Sequence, residues 1–118
     1  MKKYQAQEYL EEYYPQNKRK EVKGIILVDC QGGLTITDDS GFDNLVSITL
    51  GNCQMDYLSL MNLPRLKYLF FNQGSRVETL TVIDCHYFDF NKGCENIGGN
   101  NSVGEFKANI QVLSRNNN

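Results

Sequence analysis

Asp84, Cys85 and His86 follow one another in the chain and carry the groups from which a thiol nucleophile and an imidazole base are made. A cysteine attacks as its thiolate, so such chemistry needs the imidazole within reach of the sulfur. His86 is the only histidine in the chain and would have to serve Cys85 itself. Neighbouring residues on a strand face opposite ways, however, which separates the two side chains. Cys94 lies nearby, but Cys30, Cys53, Cys85 and Cys94 lack the close paired spacing of zinc ribbons and redox motifs. Asp38, Asp39 and Asp43 likewise lack the spacing of a calcium loop, and acidic residues beside a glycine are ordinary turn chemistry. We therefore expect no catalytic, cofactor-binding or metal-ligating residues.

Lys18, Arg19 and Lys20, with Lys23 close behind, have the composition of a localisation signal or an anion site. Glu21 interrupts the run, which follows a helix end, where positive charge complements the macrodipole. A solvated turn is the expected outcome. The formal charge of −2 gives no general attraction to phosphate backbones or anionic membranes, so neither nucleic acid nor membrane is expected as a partner. No continuous apolar segment follows the two N-terminal lysines, which argues against a signal peptide or a spanning helix. An intracellular protein, cytoplasmic or nuclear, with reduced thiols is then the expectation. In that setting the sequon Asn100-Asn101-Ser102 is a chance match.

The elements that hold these residues follow from a repeat centred on Leu45 to Arg65, LVSITLGNCQMDYLSLMNLPR. Ile25, Leu27 and Cys30 align with Ile48, Leu50 and Cys53, and these with Leu69, Phe71 and Gly74. Leu34 and Ile36 align with Leu58 and Leu60, then with Leu80 and Val82; Leu63 aligns with Cys85. The interval is 23 then 21 residues from Ile25 to Ile48 to Leu69, and 24 then 22 from Leu34 to Leu58 to Leu80. Each unit alternates apolar and polar residues in two short runs, which is two half-buried strands. Asp39 stands where an apolar residue would close the first unit, in a lengthened loop, and Phe42 is expected to supply that contact.

On these residues, from 22 to about 88, the chain resembles the leucine-rich repeat proteins, and AQEYLEEYYPQNKRKEV resembles the N-terminal cap of short fungal examples. The resemblance implies a mostly β member of the α/β repeat class: a right-handed solenoid of about three coils with parallel strands. One domain is expected, with an N-terminal cap over 1–21, coils over 22–90, and a linker and C-terminal cap or tail over 91–118. Ala6, Tyr9, Leu10 and Tyr13 fall at helical spacing, and Pro15 ends that helix near Tyr14. After Phe90, NKGCENIGGNN reads as a loop. Ser102 to Glu105 has the form of a capping box, so a short helix through Phe106, Ile110 and Leu113 is expected, with a final strand from Phe106 to Leu113 as the alternative.

Strand alternation assigns the outward positions. On the first sheet they are Gly24, Ile26 and Val28, then Ser47, Thr49 and Gly51, then Tyr68, Phe70 and Asn72. Ile26, Tyr68 and Phe70 are apolar where solvent should be, so the candidate protein-binding residues are Ile26, Thr49, Tyr68 and Phe70. Thr35, Ser59 and Thr81 form one hydroxyl column on the second sheet; threonine favours exposed strands, and an ice-binding reading is set aside. Cys30 and Cys53 sit at one position of adjacent strands, where a bridge is geometrically possible and buried thiols are the plainer reading. The expected function is non-enzymatic binding of a protein partner. A structural or self-associating repeat fragment and a Cys85-dependent enzyme are the alternatives.

Overall fold

The computed structural model describes residues 3–72 and 74–88, and the backbone of 109–113. Alternating apolar residues make Gly24–Val28 (β2), Ser47–Gly51 (β4) and Tyr68–Phe71 (β6) strands of one parallel sheet, in the order β2-β4-β6. Cys30–Thr37 (β3), Gln54–Met61 (β5) and Arg76–Ile83 (β7) form the middle of a second parallel sheet. Tyr4–Gln5 (β1) adds to one side of that sheet and Asn109–Leu113 (β8) to the other. The chain passes from one sheet to the other and back, and β2 to β3, β4 to β5 and β6 to β7 are each joined by a short turn.

The turns explain several residue choices. Asp29 follows β2 at φ 58°, Asn52 follows β4 at φ 54°, and Gly74 precedes β7 at φ 88°. Left-handed backbone is costly for most L-residues but tolerated by Asp, Asn and Gly. The Asn52 amide donates to the Asp29 carboxylate at 2.7 Å, tying the first two turns together. On the other side Asn62 and Asp84 take the same conformation, at φ 57° and 55°.

The aligned apolar residues fall in register. Ile25, Ile48 and Leu69 are partners across β2, β4 and β6; Leu34, Leu58 and Leu80 are partners across β3, β5 and β7. All six are buried between the two sheets. The 24-residue interval from Leu34 to Leu58 has a local cause: β5 carries Asp56 as an extra residue opposite the Gly32/Gly33 step. That bulge brings the Tyr57 ring over Gly33, into the space a β-carbon there would need.

Ala6–Tyr13 (α1) is the expected N-terminal helix, with Ala6 and Leu10 buried against β3 and Tyr9 packed on the core. It ends where Pro15 requires, with the Tyr14 N–H bonded to the Leu10 carbonyl at 2.9 Å. Phe42 is buried, as expected of the residue that replaces Asp39 in the core.

Three expectations are corrected. The basic run is not a wholly solvated turn: Lys18 and Lys20 are exposed, but Arg19 is 2% exposed within the 3₁₀ turn Gln16–Glu21. Its Nε donates to the Tyr14 carbonyl at 2.6 Å and its Nη1 to the Ser40 carbonyl at 2.8 Å, while the guanidinium stacks on Phe42 at 4.8 Å. Glu11 stands 3.3 Å from Nη2, an ion pair without hydrogen-bond alignment. Second, Gly74 does not occupy the cysteine position of its repeat. Cys53 precedes Gln54, which pairs with Arg76, so its counterpart is Ser75. The turn there is one residue longer, and Gly74 corresponds to the left-handed Asn52 instead.

Third, residues 109–113 are not the end of a helix but a strand, the alternative given for this segment. The helical spacing of Phe106, Ile110 and Leu113 loses to the open edge of β7, where backbone pairing places Ile110 beside Leu80 and Val112 beside Val82. The capping box at Ser102, the loop after Phe90, Cys94 and the sequon lie outside the described residues.

Ser75 gives a direct test of the corrected register. Its hydroxyl donates to the Leu50 carbonyl and accepts from the Cys53 N–H, both at 3.0 Å, in a buried turn. Ser75→Ala strands that N–H and should cost about 1–3 kcal/mol in urea unfolding. Gly74→Ala tests the left-handed turn and is a separate effect; an unchanged midpoint for Ser75→Ala would remove the serine from the core ladder.

Candidate protein-binding surface

The outward face of the β2-β4-β6 sheet is uneven for a reason visible in the register. Ile26, Thr49 and Phe70 form one row across the strands, and Gly24, Ser47 and Tyr68 another. The central strand therefore presents only Ser47, Thr49 and Gly51. Bulky residues stand on either side: Ile26 is 55% and Val28 41% exposed on β2, and Tyr68 is 39% exposed on β6. Phe70 is half-buried and stacks on Tyr68, ring centroids 5.7 Å apart and planes 15° from parallel. Strand spacing of about 4.8 Å puts the two flanks about 10 Å apart, enough for one extended chain or a row of side chains.

All four sequence-assigned residues thus lie on one face, Thr49 as the floor and the other three as its sides. Val28 extends the β2 side; its outward phase was legible, but a valine on a strand draws no notice by composition. Tyr14 supports the edge, its hydroxyl accepting from the Ile26 N–H at 3.0 Å. At the start of the strands a depression of about 340 Å³ is lined by Val46, Arg65, Lys67 and Tyr87. Val46 and Lys67 immediately precede Ser47 and Tyr68, so this basic corner adjoins the aromatic face. Tyr87 is 67% exposed and had no signal in the repeat.

The other chemistry-bearing residues are arranged differently. Asp38, Asp43, Asp84 and His86 line a second depression of about 320 Å³ with Phe42, Asn62 and Pro64. Among the described residues no group of three or more Asp, Glu, His or Cys is placed to hold a metal ion. Cys85 is buried and His86 exposed, but both follow the end of β7 at Ile83, in a turn rather than on a strand where side chains would alternate. Thr35, Ser59 and Thr81 are in register, half-buried, on the outer face of the second sheet.

Cys30, Cys53 and Cys85 are buried free thiols. The Cys53 thiol donates to the Leu27 carbonyl at 3.3 Å and that of Cys85 to Leu60 at 3.7 Å. Burial pushes all three thiols up, Cys30 to about 12, where the neighbouring Cys53 adds to the effect. At pH 8 a thiol reagent should therefore label these three only at the rate of transient opening, and fast in denaturant. Rapid native labelling of Cys85 alone would favour the enzyme alternative. The unfolded chain releases these protons near pH 9 while the folded chain retains them, so stability should fall as pH rises from about 9 towards 12.

Compared with protein-family models, with curated proteins and with solved structures, the chain gives no match to any of them. Among the described residues no helix is long and apolar enough to cross a membrane.

Proposed function

We propose that this chain is a short, right-handed leucine-rich-repeat-like solenoid of three coils, capped at each end, that binds an intracellular protein partner and performs no catalysis. The observation that carries the reading is the pairing of Ile26 with the stacked Tyr68 and Phe70 on either side of a low central strand. Rigid aromatic and aliphatic anchors on a fixed sheet lose little conformational entropy on binding and are common hot spots of protein interfaces. Repeat architectures use such extended sheet faces for partners.

The test is a paired affinity capture with the full chain and its Tyr68→Ser/Phe70→Ser variant. Both positions are at least partly exposed, so the variant should keep its far-UV CD spectrum. At least one protein held by the parent should fall about tenfold or more in the variant, the effect of losing roughly 1.4 kcal/mol or more. An identical captured set would end the assignment of this face. If both forms instead show the same concentration-dependent mass on size exclusion, the self-associating alternative takes its place.

A further inference from the structure

At the strand starts the face is bordered by cations. Arg65 and Lys67 line the corner depression with Val46 and Tyr87, and both cations are exposed. Among the described residues neither Arg65 nor Lys67 has an ion-pair partner. Lys23 immediately precedes β2 at the same end, its carbonyl accepting from the Val46 and Ser47 N–H groups. The chain as a whole has an excess of acidic residues, so three cations at one end of an apolar face are a local departure from its average.

Resting on the protein-binding reading above, we infer that the partner presents an extended acidic segment: a carboxylate side chain seated in the Arg65/Lys67 corner, followed by an aromatic or branched aliphatic residue against Tyr68 and Phe70. The chemistry fits each part. A guanidinium offers a planar fork of donors to a carboxylate, and an ammonium adds a point charge beside it. Tyr87 supplies an aromatic wall and a hydroxyl at the same corner. The trough floored by Ser47, Thr49 and Gly51 accepts the extended backbone. Electrostatic complementarity of this kind sets orientation along the face, with the acidic end at the strand starts, and speeds encounter.

Panning a random dodecapeptide phage library on the immobilised full chain tests this directly. Asp or Glu should be enriched within a few positions of Phe, Tyr, Leu or Ile in the recovered peptides. A synthetic peptide made from the strongest clone should bind about tenfold more weakly to Arg65→Glu/Lys67→Glu, and more weakly in raised salt. Both substitutions are on exposed residues, and a CD melt of each variant establishes that it folds. Recovered peptides without acidic enrichment, or binding indifferent to the Glu variants, would overturn the acidic segment and leave the face intact. Acidic peptides that bind Tyr68→Ser/Phe70→Ser as well as the parent would overturn the face itself. Failure to enrich any peptide would count against both.

Discussion

Arg19→Ala should lower the unfolding free energy by about 2–4 kcal/mol, measured by urea denaturation with CD detection. Arg19 is 2% exposed, and its guanidinium holds three pieces of chain together: the end of α1 through the Tyr14 carbonyl, the Thr37 to Gly41 turn through Ser40, and the core through Phe42. Removing it leaves two carbonyls without these partners and a void above the ring. Its ion pair with Glu11 contributes little by comparison, because that carboxylate is 58% exposed and screened by water. Glu11→Gln should therefore change stability by less than about 1 kcal/mol. Arg19→Lys should not rescue, since one ammonium cannot span two carbonyls and stack on an aromatic face at once. A loss below about 0.5 kcal/mol for Arg19→Ala would mean the clamp is ornamental.

Phe42→Ala should be more severe, at about 3–5 kcal/mol, because Phe42 is 1% exposed and its ring is the largest side chain that the loop between β3 and β4 places in the core. Globular domains of this size are commonly stable by only about 5–15 kcal/mol, so the variant should lie close to unfolding at moderate temperature. Arg19 and Phe42 touch, and Tyr14 packs edge-on to the same ring at 6.4 Å. The double variant should accordingly lose less than the two single losses added together, by about 0.5–3 kcal/mol. Strict additivity would show that the stacking seen between them has no energetic weight.

How much of this could be read in advance depended on whether the signal was periodic. Ile25, Ile48 and Leu69 gave the register of one sheet because an alternation of two leaves no freedom of phase once one face is buried. The outward phase of Tyr68 and Phe70 came with it. Arg19 was missed because its neighbours Lys18 and Lys20 are exposed, and nothing local distinguishes a buried arginine from two solvated lysines. What buries it is a loop 21 residues further on, at Ser40. Ser75 was missed through a single extra residue in a turn, where composition carries no register. Ile110 to Leu113 satisfied both a helical and a strand spacing, and the choice was made by the unpaired edge of β7, which lies outside that segment's own sequence. In the corner of Arg65, Lys67 and Tyr87, Lys67 holds the repeat position of Lys23 and Val46, but that position alternates between lysine and valine, and Arg65 and Tyr87 come from turns.

Oxidative footprinting of Tyr68 and Phe70, in the chain alone and in complex with a captured partner, tests the central claim most directly. Tyr13 and Tyr57, 55% and 44% exposed elsewhere on the surface, serve as internal references. Binding through the β2-β4-β6 face predicts that oxidation of Tyr68 and Phe70 falls several-fold in the complex while the two reference tyrosines react as before. Unchanged oxidation at Tyr68 and Phe70, with protection at Tyr13 or Tyr57 instead, would contradict it.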